Sequence, residues 1–289
     1  MDRPAQALIV AQVGSSQFCK HGMFRQSASL TQQVMHFTIL CNENIDGEIA
    51  FLRKSQHRIQ LFRKSFDMVI TIGAEKGGVA KTRLATHIAA LAATNGVDVV
   101  LLDTDKQGSA MSWSKIRNDE GVIPSIPVLA LPPNPARELA NLSKKYTLVV
   151  VDIGAQNYRT MLECALLSDI VLVPCGSDQQ EVESTLNVFD TLKEMGPRHE
   201  SGEIPAHVVL TRVSPLEGSK ATAELREFFA GEGVSVFKSQ IAHRASWLAT
   251  GKSGRAVHEL KGRERSQKAV DEMQAVYDEI LSRINAEEQ

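Results

Sequence analysis

With 289 residues, 43% hydrophobic and 23% charged, the chain is long enough for one large α/β domain with a filled core plus a short appendage. A formal net charge of −2 excludes nucleic-acid binding through bulk charge, so any such role has to come from a local patch. The four cysteines (Cys19, Cys41, Cys164, Cys175) lack C-x-x-C or metal-ligand spacing, which points to reduced thiols and a cytoplasmic setting.

No run approaches the roughly twenty apolar residues of a membrane span, and the short apolar run Ala7 to Val13 is broken by glutamine, unlike a signal peptide. Residues 1–67 are rich in Gln and Ser and show no repeating strand–helix rhythm. Eight Lys/Arg against five Asp/Glu make this segment +3, leaving −5 for the remainder. A strand over His36–Cys41 and a helix over Ile49–Phe62 are the expected ordered pieces. A helix-turn-helix around Asp46-Gly47 lacks a regular preceding helix, so loose packing is the expectation here. Met68 stands directly before the first strong strand. Two readings of 1–67 stay open: an accessory segment, or upstream sequence from a misplaced start.

From Met68 the pattern changes. Met68–Ile72 is a β-branched apolar run, followed by a Gly-rich turn and a helix over Lys81–Thr94 that Asn95-Gly96 stops. Further apolar runs follow at Val97–Leu102, Ile126–Leu131, Thr147–Val151, Ile170–Val173 and His207–Leu210. Helices are expected near Ala136–Lys145 and Gln179–Glu194. Continuous apolar runs alternating with helical segments mark strands buried on both faces. The predicted fold for 68–289 is a doubly wound α/β domain, its mostly parallel sheet covered by helices on both faces.

The strongest motif is Gly73-Ala74-Glu75-Lys76-Gly77-Gly78-Val79-Ala80-Lys81-Thr82, lying after a strand and opening a helix. Such a loop turns successive N–H groups toward phosphate oxygens, and the helix N-terminus adds its positive end. Lys81 is placed to reach the β/γ-phosphates of ATP, and the Thr82 hydroxyl to complete a Mg²⁺ shell. The common G-x-x-x-x-G-K-[ST] pattern is not met, since Glu75 and Ala80 occupy its glycine positions. The pattern K-G-G-x-x-K-T from Lys76 is met, and it resembles the deviant Walker A ATPases of the ParA/MinD family, a group of P-loop NTPases. Those usually read KGGVGKTT, where this chain reads KGGVAKTR. The resemblance implies that Lys76 reaches across an ATP-bound homodimer to the partner's phosphates. Ala80 and Arg83 are departures. A methyl at position 80 is compatible with the loop if φ stays negative, and Arg83 adds positive charge to the first helical turn.

Leu101-Leu102-Asp103-Thr104-Asp105-Lys106-Gln107-Gly108-Ser109-Ala110 resembles the family's LLDxDPQGSA, with Lys106 in place of proline. The resemblance assigns Asp105 to positioning the attacking water and Asp103 to the Mg²⁺-proximal network. The alternative is that both aspartates cap the following helix. Leu148–Asp152 reads as a Walker B strand whose aspartate binds Mg²⁺ through water. Gly154 just beyond it suits a backbone that moves with the γ-phosphate. Thr211-Arg212 follows a strand where relatives contact the adenine base. The nucleotide-binding set is thus Lys76, Gly77, Gly78, Val79, Ala80, Lys81, Thr82, Arg83, Thr211 and Arg212. The catalytic set is Lys76, Lys81 and Asp105, and the metal set is Thr82, Asp103 and Asp152.

Residues 244–268 carry seven Lys/Arg against two Glu, a local +5. In ParA-type proteins the matching region gives a sequence-independent DNA surface. Arg244, Lys252, Arg255 and Arg263 are the candidate contacts here, with Arg244 and Arg255 foremost. A solvated face is the bland alternative. The acidic tail after Asp271, with one arginine (Arg283), is unlike a basic membrane-targeting helix. The resemblance therefore implies a cytoplasmic ATPase for plasmid or chromosome partition, nucleoid-associated when ATP-bound, slow unless stimulated by a centromere-binding partner protein. A protein-positioning ATPase and a weakly hydrolysing adaptor without DNA binding are the alternatives.

Overall fold

The computed structural model describes residues 68–132, 135–216 and 219–287. The extension 1–67, with its expected strand at 36–41 and helix at 49–62, lies outside the described residues. In chain order the elements are β1 (Met68–Ile72), α1 (Lys81–Thr94), β2 (Val99–Asp103), α2 (Ser109–Asp119), β3 (Val128–Ala130), α3 (Ala136–Ser143), β4 (Leu148–Asp152) and α4 (Tyr158–Ala165). Then come β5 (Ile170–Cys175), α5 (Gln179–Met195), β6 (Ala206–Val213), α6 (Lys220–Gly231), β7 (Val236–Ala242), α7 (Ser246–Ser253) and α8 (Gln267–Glu287).

The seven strands form one parallel sheet in the order β3-β2-β4-β1-β5-β6-β7. Adjacent residues of each inner strand feed opposite faces. Leu148 and Val150 join α1, α2, α7 and α8 in one cluster, while Val149 and Val151 join α3, α4 and α5 in another. Both faces are apolar, which is why these strands read as unbroken hydrophobic runs. β1 lies in the middle. The chain leaves it toward β2 on one side, and later crosses from β4 over to β5 on the other. This reversal opens a crevice at the carboxyl ends of β1 and β4, where open α/β sheets bind ligands.

Three boundaries differ from expectation for local reasons. β2 starts at Val99 because Val97 still belongs to the cap of α1: Gly96 takes φ +78, and Val97 N–H donates to the Ala92 carbonyl at 3.0 Å. β5 continues through Pro174 to Cys175, and pairs beyond Leu172 with β6 alone. The proline nitrogen thus sits on the side where β1 has ended, and no ladder bond is lost. Thr211 and Arg212 lie inside β6 rather than after it. β7 was hidden by its polar centre, Lys238-Ser239-Gln240. As an edge strand it is covered by α8, whose Glu279 accepts the Lys238 and Ser239 N–H groups at 2.9 and 2.8 Å.

α2 is clamped to the segment after α7. Arg117 has a fully buried side chain and pairs with Glu259 through two bonds of 2.7 Å. It also donates to the carbonyls of Pro124 and Gly254. Gly254 (φ +61) passes so close that a Cβ there would lie 2.3 Å from the Arg117 nitrogen. Removing one partner of such a pair strands a buried charge. Glu259→Ala is expected to cost about 3 kcal/mol in urea unfolding, and replacing both partners with apolar residues to cost less.

Two histidines add a pH dependence. His87 on α1 is buried, donates from Nδ1 to the Arg83 carbonyl at 2.7 Å, and is pushed down to about 3 chiefly by burial. His207 is pushed down to about 4 by burial and by Arg283. Unfolded imidazoles titrate near 6.5, so between that pH and the folded values the unfolded chain binds more protons. The two histidines' contribution is therefore complete above about pH 6.5 and falls as pH drops, by about 1.4 kcal/mol per unit for each. The loss is partly offset by the buried Asp152, whose carboxyl is raised to about 7 and acts in the opposite sense. Urea titrations at pH 7.0 and 5.0 should show this loss, and His87→Gln should reduce it.

Candidate functional site

The crevice is built around the loop between β1 and α1. A Cβ at Gly73 would sit 2.4 Å from the Met161 sulfur, so Met161 would have to move to admit one, and Gly78 takes φ +78. The loop is anchored from three sides. The Thr211 hydroxyl on β6 donates to the Val79 carbonyl at 3.1 Å, fixing the loop beneath its last turn. From α5, Gln180 accepts from Lys76 Nζ at 2.9 Å and Ser184 donates to Glu75 at 3.1 Å. From within, Lys81 Nζ donates to the Lys76 carbonyl at 2.7 Å. Lys81 is only 7% exposed. Burial pushes its pKa down, and the neighbouring Asp152 and Asp105 carboxylates act against that.

Ala80 departs from expectation. It caps α1 at φ 75, ψ 23, in the left-handed region, with no side-chain capping bond. A residue with a Cβ is strained there by about 1–2 kcal/mol. The condition under which the methyl was expected to fit, a negative φ, is not met.

The carboxylates converge from neighbouring strand ends, since Asp103 of β2 is the register partner of Asp152 of β4. Asp103 Oδ1 accepts the Asp105 N–H at 2.9 Å and Oδ2 accepts the Met111 N–H at 3.0 Å. It thus shapes the turn and holds the first turn of α2, so the capping alternative describes it in this conformation. Asp105 accepts the Gln107 N–H at 2.9 Å through one oxygen. Asp152 is different. It is 1% exposed, and neither oxygen has a hydrogen-bond partner of acceptable geometry. Burial pushes it up to about 7, with Asp103 and Asp105 adding to the rise and the nearby Thr82 and Lys81 opposing it. An orphaned buried carboxylate beside a threonine hydroxyl and a phosphate loop fits a hydrated divalent cation, which would satisfy those oxygens and favour their ionised form. Gly154 earns its place by close approach, since a Cβ there would lie 3.0 Å from the Asp105 Cα.

The sequence profile of the CobQ/CobB/MinD/ParA nucleotide binding domain matches residues 70–255. The chain belongs to that family. Among relatives, it is 23% identical over 210 residues to "Protein ParA" of Rhizobium radiobacter, covering 71% of this chain and 91% of the relative. Its fold is similar to that of the Aquifex aeolicus MinD cell division protein (TM-score 0.55, 17% identity, 74% and 97% of the two chains). It is also similar to a Borrelia burgdorferi B31 putative plasmid partition protein bound to AMPPNP (TM-score 0.54, 20% identity, 74% and 98%). The doubly wound P-loop fold read from the sequence is thus the fold of the family.

Several of the expected contact residues already have partners within the chain. The Thr211 side chain is buried, with its hydroxyl on the Val79 carbonyl. Arg212, at φ 56, is ion-paired with Glu181 of α5. In the basic segment, Arg244 is tied to Glu272 of α8 at 2.5 Å, and Arg255 lies 3.8 Å from Glu120. The two arginines expected to lead in DNA contact are therefore partly engaged by carboxylates distant in sequence. Lys252, Lys261 and Arg263 are exposed. Glu259 points inward to Arg117, which leaves the outer face of this segment more basic than its composition. No helix among the described residues is long and apolar enough to cross a membrane.

Sequence reasoning missed Gln180, Ser184, Glu181 and Thr104. Thr104 accepts the Gly154 N–H on its hydroxyl at 2.9 Å and thereby joins the two strand ends. Only the N-cap Asp178, which accepts the Gln180 N–H at 3.0 Å, gave a local sign that α5 begins at the site. The strain at position 80 gives a direct test. Ala80→Gly removes the left-handed penalty while adding unfolded-state entropy, so a net gain of up to about 1 kcal/mol is expected in thermal unfolding.

Proposed function

We propose that this chain is an ATP-hydrolysing switch for DNA segregation, which dimerises on ATP, binds DNA without sequence preference and lets go after hydrolysis. The carrying observation is the constellation at the strand ends. A preformed phosphate loop with Lys76, Lys81 and Thr82 faces Asp152, whose oxygens are buried and unpartnered, with Asp105 beside Lys81. Its resemblance to a ParA protein and to a putative plasmid partition protein bound to an ATP analogue supports the same reading.

In this reading the loop N–H groups from Gly77 to Thr82 and the Lys81 ammonium hold the phosphates of ATP. Thr82 and Asp152 hold Mg²⁺, with Asp103 behind them. When bound, the metal neutralises phosphate charge. Asp105 has one oxygen committed to Gln107 and keeps the other to orient the attacking water. Lys76 exchanges its Gln180 partner for the phosphates across the dimer. Lys252 and Arg263 contact DNA phosphates, joined by Arg255 and Arg244 when their pairs with Glu120 and Glu272 open. A centromere-binding partner stimulates an otherwise slow turnover. The setting is the cytoplasm, and the nucleoid in the ATP state.

Binding to random-sequence duplex at two salt concentrations tests this. ATP-dependent binding that weakens with salt and vanishes in Lys81→Ala is expected. Lys252→Ala/Arg263→Ala should lower the logarithmic salt slope by about 2 per subunit, or about 4 for the dimer. Tight ATP binding without DNA binding would leave a protein-positioning ATPase as the better description. ATP-dependent dimerisation with no hydrolysis, even with DNA and partner, would leave an adaptor.

A further inference from the structure

Between the two aspartates of the turn after β2 stands Thr104, and its polar groups are all spent on one segment of chain. Its N–H donates to the Asp152 carbonyl at 3.1 Å, and its hydroxyl accepts the Gly154 N–H at 2.9 Å. Its carbonyl accepts from Asn157 Nδ2, which also lies 3.5 Å from the hydroxyl. Gly154 lies close against the next residue of the turn, since a Cβ there would be 3.0 Å from the Asp105 Cα. Ala155 reaches the other side: a Cβ on Gly77 of the phosphate loop would meet its own at 3.8 Å. The residues from Ile153 to Asn157 thus touch the Asp105 turn and the phosphate loop at once.

Asn157 is the unusual member of this set. It stands at the N-cap of α4 (φ −107, ψ 42) and makes no side-chain capping bond. An asparagine there ordinarily turns its side-chain oxygen back to accept an N–H of the first turn. Here the carboxamide donates to Thr104 instead, 53 residues away in the chain. A carbonyl acceptor can be met only by a donor, so the NH₂ end faces Thr104, and an ionised aspartate of the same shape could not replace it. Bonds inside the Asp105 turn fix its shape: Asp105 N–H on Asp103, and Gly108 N–H on the Asp105 carbonyl, both at 2.9 Å. Its seat against the end of β4 comes through Thr104, from Asp152, Gly154 and Asn157.

We propose that Asn157 is a positioning residue for hydrolysis, tying the turn that bears Asp105 to the segment that follows Asp152. This rests on the site proposed above, in which Asp152 serves the metal and Asp105 orients the attacking water. Asn157 acts through Thr104 and makes the two carboxylates move together with the segment beside Gly77. Misplacing a water-orienting carboxylate by about 1 Å costs on the order of a hundredfold in rate. Phosphates held by the loop N–H groups and by Lys81 feel little of such a shift. Loss of the tie therefore slows hydrolysis without loosening ATP.

The test is single-turnover hydrolysis of Mg·ATP by the full chain and its variants, over a range of ATP concentrations, alongside thermal unfolding. Asn157→Ala removes the donor. Asn157→Asp also removes it but keeps the shape, and it caps α4 at least as well as asparagine. Asn157→Ala is expected to lower the saturating rate by about tenfold to a hundredfold, with half-saturation by ATP little changed. Asn157→Asp should be as slow at saturation, while melting no lower than the parent chain. That split between rate and stability is one that a purely structural residue does not give. A parent-like rate in Asn157→Ala would overturn the tie. So would a parent-like rate in Asn157→Asp, which leaves only a helix-capping role, or a raised half-saturation at unchanged rate, which marks a binding role. Asp105→Ala separates the two levels. If it hydrolyses ATP normally, or if the parent chain binds ATP and never hydrolyses it, the site reading itself fails and the tie falls with it. If Asp105→Ala is slow and Asn157→Ala is not, the tie alone falls.

Discussion

A lysine that is 7% exposed needs acceptors for its ammonium group, and Lys81 finds the Lys76 carbonyl together with the Asp152 and Asp105 carboxylates nearby. Those partners come from the phosphate loop, from β4 and from the turn after β2. Bringing them to one point places β4 beside β1 and β2 beyond β4, as in the strand order observed. The Asp105 turn also comes close to Gly154. The phosphate loop, β4 and the turn after β2 thus meet around one buried charge.

The site holds strain and unmet polarity side by side. Ala80 and Arg212 both sit in left-handed backbone, and Asp152 has two oxygens without partners. Arg83 shares its surroundings with another guanidinium. Elsewhere in the fold buried charge is carefully met, as Arg117 and Glu259 show with two direct bonds and two carbonyl acceptors for the arginine. The contrast has a physical meaning. A structural ion pair is complete in the folded chain, whereas a ligand site is left incomplete in ways that the ligand repairs.

The clamp between Arg117 and Glu259 also links two distant parts of the chain. α2 starts under Asp103, whose carboxylate accepts the Met111 N–H, and ends at the buried arginine that fixes the segment bearing Arg255. The carboxylate end of the nucleotide site and the basic segment are therefore joined by one helix of eleven residues. Trp247 forms a second link, because Arg83 and His87 of α1 both lie against its ring.

The sequence by itself determined the central strands, α1 to the residue, the order of the phosphate loop and the carboxylates, and hence the family. Those features are local: a buried strand must be apolar on both faces, and a phosphate loop needs glycine, lysine and threonine at fixed spacing. Only the tertiary structure decided which charges are already spent. Arg244 meets Glu272, Arg212 meets Glu181 and Arg117 meets Glu259, and these partners lie 28, 31 and 142 residues apart in the chain. No periodicity records such pairings. It also decided that Thr211 holds the phosphate loop through the Val79 carbonyl, and that β7, with its polar centre, is a strand at all. An edge strand takes its stability from β6 on one side and from the Glu279 carboxylate of α8 at its edge, neither of which is written in its own residues.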